Sequence, residues 1–203
     1  MKARFITLEG IEGSGKTTSI KSINNFLEQK KIRYINTREP GASSIGSELR
    51  EILLNPNTNI SSDVELLLML ADRKDHVETI ILPNLLNDIC VISDRFMDSS
   101  IAYQGGGRQL DLNMINSLSA YLDLPNPDLT LLFDLPVKIS LERTKKRGKL
   151  DRFEKEEIDF HNRIRESYLK LANDNSDRIK VIDGSQSLDK VQAKVIEIIS
   201  KLF

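Results

Sequence analysis

Cysteine is almost absent from this chain: of 203 residues, only Cys90 carries a thiol. A single cysteine closes no internal disulfide and gives no even framework of the secreted type, so the expected compartment is a reducing cytoplasm. Its setting, Ile89-Cys90-Val91-Ile92, reads as a small buried hydrophobe rather than a reactive thiol. An excess of one charge is also missing, with 29 Lys and Arg against 30 Asp and Glu. No global field therefore draws nucleic acid or an anionic membrane, and any electrostatic role is local. Long apolar runs are missing too. The longest, Leu66-Leu67-Leu68-Met69-Leu70-Ala71, falls far short of the roughly 20 residues that span a bilayer. The N-terminal run after Lys2 and Arg4 stops at Glu9, too soon for a signal-peptide core, so neither export nor a membrane is expected. Repeats, low-complexity tracts and linkers are likewise lacking, and the length suits one domain over 1–203.

What is present is an alternation of short β-rich runs with longer amphipathic stretches, which predicts an α/β fold with a parallel sheet. Strands are expected at 3–8, 33–37, 89–93, 128–134 and 178–182, mostly continuous in apolar character because helices cover both sheet faces. Helices are expected at 16–29, 44–54, 62–87, 111–122, 137–146, 153–173 and 188–202. In the last, Leu188, Val191, Val195, Ile198 and Leu202 recur at helical spacing. Glu39-Pro40-Gly41, Asn55-Pro56-Asn57, Gly105-Gly106-Gly107, Pro125-Asn126-Pro127 and Asp183-Gly184 punctuate these elements. Ligands of such sheets bind beyond the carboxyl ends of the strands.

Directly after the first strand stands Gly10-Ile11-Glu12-Gly13-Ser14-Gly15-Lys16-Thr17, a complete G-x4-G-K-[ST] loop. Its glycines let backbone N–H groups converge on a polyphosphate. Lys16 can reach the outer phosphates, and Thr17 can hold Mg2+ while opening a helix whose N-terminus favours anions. ATP or GTP is the expected ligand. Beyond the second and third strands come Arg38 and Arg95, whose fixed forks of donors suit a second phosphorylated molecule. Asp94 stands where it could reach Mg2+, or else pair with Arg95 or cap the next helix. Ser99, Ser100, Tyr103 and Gln104, leading into three glycines, suit recognition of a base or sugar beside a flexible turn; the alternative is a helix with a glycine-rich C-cap. The basic stretch 143–152 is either a solvated helix end or a lid carrying an arginine finger. His76 and His161 have no Cys or His partner at metal-ligand spacing and read as structural.

Three motifs together carry a resemblance. Leu8-Glu9-Gly10 through the phosphate loop to Thr18, then Thr37-Arg38-Glu39-Pro40-Gly41, then Asp94-Arg95-Phe96-Met97-Asp98-Ser99-Ser100-Ile101-Ala102-Tyr103-Gln104-Gly105 closely resemble the bacterial thymidylate kinases, over essentially the whole chain. The resemblance implies the three-layer P-loop NTPase-type fold with strand order 2-3-1-4-5, and ATP-dependent phosphorylation of dTMP to dTDP in a homodimer. It assigns Gly10, Ile11, Glu12, Gly13, Ser14, Gly15, Lys16, Thr17 and Thr18 to ATP, with magnesium at Thr17 and Asp94. It assigns Glu12, Arg38, Arg50, Met69, Arg73, Arg95, Ser100 and Gln104 to dTMP, with Arg73 at the thymine carbonyl. On residue type alone, Arg50 and Arg73 would be exposed helix arginines. No arginine lies between Glu12 and Lys16, as in the branch that supplies a catalytic arginine from the lid, here expected at about 143–153 with Arg147 in that role beside Lys16 and Arg95. Met69 stands where the family usually stacks an aromatic on thymine, and Ala42 stands where a second glycine is usual. The rivals are a P-loop kinase for another nucleoside monophosphate and a GTP-binding switch; the latter lacks its Asn-Lys-x-Asp tetrapeptide here.

Overall fold

The structure is a computed structural model that describes residues 2–148 and 150–203, with only the backbone of Arg147. At its centre β1 (Phe5–Glu9) is buried along its whole length, because β3 (Cys90–Asp94) pairs on one side of it and β4 (Leu129–Asp134) on the other. With β2 (Tyr34–Arg38) and β5 (Ile179–Asp183) at the edges, the sheet is parallel throughout, in the order β2-β3-β1-β4-β5. The register sets Arg38 beside Asp94 and Asp94 beside Leu8, so the ends of three strands form one rim.

Alternation along the strands divides the core. Ile6 and Leu8 of β1 point to the layer made by α1 (Lys16–Gln29) and α9 (Leu188–Ile199), whose Ile23, Leu27, Val195 and Ile199 are fully buried against them. Phe5 points the other way, toward Val77, Ile81 and Phe96. That second layer also holds α8 (Ile158–Asp174), whose Phe160, Ile164 and Tyr168 pack with Ala102, Tyr103 and Leu132. The remaining helices are α2 (Gly46–Leu54), α3 (Ser62–His76), α4 (Leu82–Leu86), α5 (Met97–Ser100), α6 (Leu112–Tyr121) and α7 (Val137–Arg147).

Two expectations are corrected by π-helical turns. The helix expected over 62–87 is interrupted by a π turn at Val77–Ile81, just ahead of Pro83. Pro83 has no N–H to give and its ring crowds the preceding turn, so a wider turn relieves both. The glycines expected to form a flexible turn instead continue a second π turn, Ile101–Gly107, against α8. They serve close approach: a Cβ on Gly107 would stand 2.6 Å from Phe160 Cε2. The helix expected from 153 begins only at Ile158. Ahead of it Glu154 accepts the Asp151 N–H at 3.2 Å and Asp151 accepts the Glu154 N–H at 2.9 Å, closing a turn. Ala42 is not among the positive-φ residues, so its methyl strains nothing.

Candidate functional site

A cavity of about 710 Å³ opens over the strand rim, lined at one end by 12–18 and at the other by Arg38, Arg50, Met69, Arg73 and Gln104. The loop that follows β1 is built for this position. Gly10 sits at φ +132, and a Cβ there would lie 2.4 Å from Phe133 O, so only glycine lets β1 turn beside β4. Gly10 and Ile11 do not line the cavity. Their carbonyls accept from Lys16 Nζ at 2.8 and 3.1 Å, and the Ile11 side chain is buried in the core. Burial, and next the charge of Arg95, lowers the Lys16 pKa to about 8. Ser14 is buried, whereas Thr17 and Thr18 are exposed on the first turn of α1. Ser140 Oγ donates to Glu12 O at 2.6 Å and Arg143 to Gly13 O at 3.0 Å, so α7 braces the loop from behind.

Opposite the loop, Arg95 leaves β3 at φ +75, an uncommon conformation for a long side chain, which aims its guanidinium across the cavity. Nη2 donates to Glu12 Oε1 at 2.6 Å and to Tyr103 OH at 3.0 Å, and Nη1 to Ser99 and Tyr168 hydroxyls, both at 3.2 Å. Burial favours a protonated Glu12, but Arg95, Lys16 and the Tyr103 hydroxyl outweigh it and hold the carboxyl below its usual value. Arg38 is exposed at the rim. Arg50 donates to Pro40 O at 2.6 Å and packs its stem under Gly41, so it is not the free helix arginine its residue type suggested. Its pKa is lowered, by burial first and by Arg38 next.

Arg73 departs further from that reading, being only 1 % exposed. Nε donates to Glu39 Oε2 at 2.6 Å, Nη1 to Ser100 Oγ at 2.7 Å and Met97 Sδ at 3.4 Å, and Nη2 to Phe96 O at 3.0 Å. Met69 and Gln104 complete this end of the cavity.

Asp94 follows neither of its simpler alternatives: the side chain of Arg95 is committed to Glu12, and α5 starts with no side-chain cap. Its Oδ1 is buried with no hydrogen-bond partner. An unpaired carboxylate oxygen and the Thr17 hydroxyl, lining the same cavity, are hard oxygen donors, the set that suits Mg2+ shared with phosphates and water. No group of three or more His, Cys, Asp or Glu positioned for a metal occurs among the described residues, so this donor set supplies part of a coordination shell rather than a protein cage.

Several site residues escaped the sequence reading. Glu9 is fully buried and accepts from Phe96 N–H, Ser99 Oγ and Tyr168 OH at 2.7, 2.6 and 2.8 Å, fixing the partners of Arg95. Burial first, and Asp98 next, raises its pKa to about 7. His76 is structural, as expected, with specific partners. It lies 2.8 Å through Nδ1 from Glu39 Oε1 and 2.6 Å through Nε2 from Thr37 Oγ1, so it ties the β2 loop to the carboxylate that holds Arg73. Glu65, also buried, takes Gln104, Arg108 and Arg152. A periodic signal existed for Arg73 and His76, which stand i, i+3 on one helix face, but nothing in the sequence joins either to Glu39.

The stretch expected to act as a lid is held at both ends. Arg143 reaches the loop at Gly13, while Arg152 donates to Leu53 O at 2.8 Å and Glu65 Oε2 at 2.7 Å. The side chain of Arg147, expected to be catalytic, lies outside the described residues.

Comparison with known proteins identifies a family. The family model described as thymidylate kinase matches residues 8–195. The chain is 47 % identical over 192 residues to the thymidylate kinase of Carboxydothermus hydrogenoformans, covering 94 % of each chain. It is 43 % identical over 204 residues to that of Nitrosospira multiformis, covering all of both. Among solved structures, the thymidylate kinase of Ehrlichia chaffeensis superposes with a TM-score of 0.81 at 31 % identity, over 98 % of this chain and 99 % of the other.

Proposed function

Because the chain belongs to the thymidylate kinase family, we propose that the cavity over its strand rim brings ATP and dTMP together for transfer of the γ-phosphate, giving ADP and dTDP. The observation that carries this reading is the division of the cavity between a phosphate loop and a facing set of arginines, Arg38, Arg50, Arg73 and Arg95. The loop amides and Lys16 hold the outer phosphates of ATP, with Thr17 and Thr18 at the N-terminus of α1. Arg38, Arg50 and Arg95 grip the acceptor phosphate, Glu12 faces its sugar, and Met69, Arg73, Ser100 and Gln104 surround the base.

Chemistry then needs positioning and charge neutralisation rather than a protein nucleophile. The phosphate oxygen of dTMP approaches the γ-phosphorus in line with the departing ADP oxygen. Lys16, Arg95 and the lid Arg147 meet the charge that develops on the transferring group. Thr17 and Asp94 would hold Mg2+, which when bound neutralises charge on the phosphates. Closure of the segment 143–153 excludes water and so limits futile hydrolysis.

The reading extends to a cytoplasmic homodimer. A buried lone Cys90 supports the compartment; no helix among the described residues is long and apolar enough to cross a membrane. Val64 and Leu67, exposed on the outer face of α3, offer an apolar surface for a second copy, checked by sedimentation. Nucleic acid and membrane are not partners in this reading. ATP-dependent turnover with Mg2+ across dTMP, dUMP, CMP and AMP tests the whole. Absence of dTMP turnover would overthrow it, and GTP hydrolysis without an acceptor would favour a switch instead.

A further inference from the structure

The side-chain amide of Gln104 has one orientation open to it. Its Nε2 lies 2.8 Å from Glu65 Oε1, and a carboxylate paired with arginines only accepts. Glu65 cannot turn away: it is 1 % exposed, Arg108 Nε spans its two oxygens at 3.3 and 3.1 Å, and Arg152 Nη1 holds Oε2 at 2.7 Å. The NH2 end of Gln104 is thus committed to Glu65. Its Oε1 takes no hydrogen bond from any described residue, in a side chain that lines the cavity.

Gln104 therefore offers the cavity an acceptor. Arg73 offers a donor, since of its five N–H groups four are used by Glu39, Ser100, Met97 and Phe96, and one on Nη2 remains. Ser100 stands one helical turn before Gln104 and takes Arg73 Nη1, so both side chains belong to the same part of the cavity lining. An acceptor beside a donor matches an imide, where a ring N–H adjoins a carbonyl, as in thymine. Cytosine presents the reverse pair, a ring-nitrogen acceptor beside an exocyclic amine donor.

We propose that Glu65 is a specificity-determining residue: by accepting from Gln104 Nε2 it turns the amide oxygen toward the base, and so selects imide over cytosine-type bases. It acts without touching substrate, as a positioning residue, and it rests on the reading that the acceptor's base lies against Arg73 and Gln104.

The experiment compares kcat/KM for dTMP and dCMP in the wild-type protein, in Glu65→Gln, and in the double variant Glu65→Gln with Gln104→Glu. In the single variant the new amide can donate to Gln104 Oε1, releasing its NH2 end to the cavity. The dTMP:dCMP ratio is expected to fall by about 10- to 100-fold, while KM for ATP changes by less than about 2-fold because uniform donor binding is untouched. The double variant keeps one negative charge within the 65–104 pair and returns an acceptor oxygen to the base, so it should recover most of the dTMP preference. A folded Glu65→Gln protein with an unchanged ratio, or a double variant that favours dCMP, overturns the proposal. Should the single variant fail to fold, the charge-conserving double variant decides alone. Lack of dTMP preference in the wild-type protein would instead overturn the functional reading beneath it.

Discussion

Arg95 Nη2 and Glu12 Oε1 stand 2.6 Å apart, joining the end of β3 to the loop after β1 across the cavity. Tyr103 OH donates to the same carboxylate, and the Arg95 guanidinium lies 4.9 Å over the Tyr103 ring. The guanidinium is thus held in place by the folded chain itself, so in the proposed acceptor role its ordering would already be achieved.

Replacing it tests that preorganisation. Lysine is a compact point charge that cannot serve four hydroxyl and carboxylate partners at once. Arg95→Lys should raise KM for dTMP by about 10- to 100-fold, the equivalent of one charge-assisted hydrogen bond. KM for ATP should stay within about 2-fold. Steady-state kinetics with each substrate varied separately decides the matter, and equal rises in both constants would count against an acceptor role.

Lys16 and Arg147 separate by the same logic. Lys16→Ala should nearly abolish turnover. Arg147→Ala should lower kcat more than it raises KM for dTMP, the pattern of an interaction made in the transition state. Single-turnover rates make the comparison, and an unchanged rate in Arg147→Ala removes that residue from catalysis.

Glu9 predicts a pH dependence of stability. Its pKa of about 7 in the fold stands above the ordinary 4.5, so between those values the folded chain keeps a proton that the unfolded chain has released. Stability therefore falls as pH rises through this window and levels off above it, a loss on the order of 3 kcal/mol. Glu9→Gln accepts the Phe96 N–H without titrating and should flatten that slope. Urea midpoints of both proteins at pH 5, 6, 7 and 8 provide the check; parallel slopes would show that Glu9 does not titrate there.

Gly107 is a packing prediction. A methyl would meet Phe160 Cε2 at 2.6 Å and Ile164 Cγ1 at 3.0 Å, both in the core under α8. Gly107→Ala should cost about 1–3 kcal/mol from overpacking. Calorimetry should record a drop of several degrees in Tm, whereas an unchanged Tm would mean that α8 yields at no cost.

The sheet was legible because its strands are short apolar runs with helices on both faces, yet each apolar run ended one residue early at β1, β2, β3 and β5. Backbone pairing continues into Glu9, Arg38, Asp94 and Asp183, where the side chain turns polar. Lys16, Arg38 and Arg95 were readable from motif and strand position. The burial of Arg73 was not, because Glu39 lies 34 positions away and only folding brings its carboxylate to the guanidinium. The glycines at 105–107 misled for a similar reason: their neighbours Leu112, Ser167 and Phe160 are set by tertiary packing, not by local turn chemistry.

The strand order has a consequence for how such a molecule diversifies. Two interstrand steps, about 10 Å in all, separate the end of β2 at Arg38 from that of β1, and backbone hydrogen bonds hold that spacing. Glu65, Arg73 and Gln104 lie instead on α3 and the second π turn. Under the proposed base contacts, substitutions there would rewrite which base is accepted while the sheet keeps the same ruler between phosphates, so an altered preference would not require the transfer chemistry to be built again.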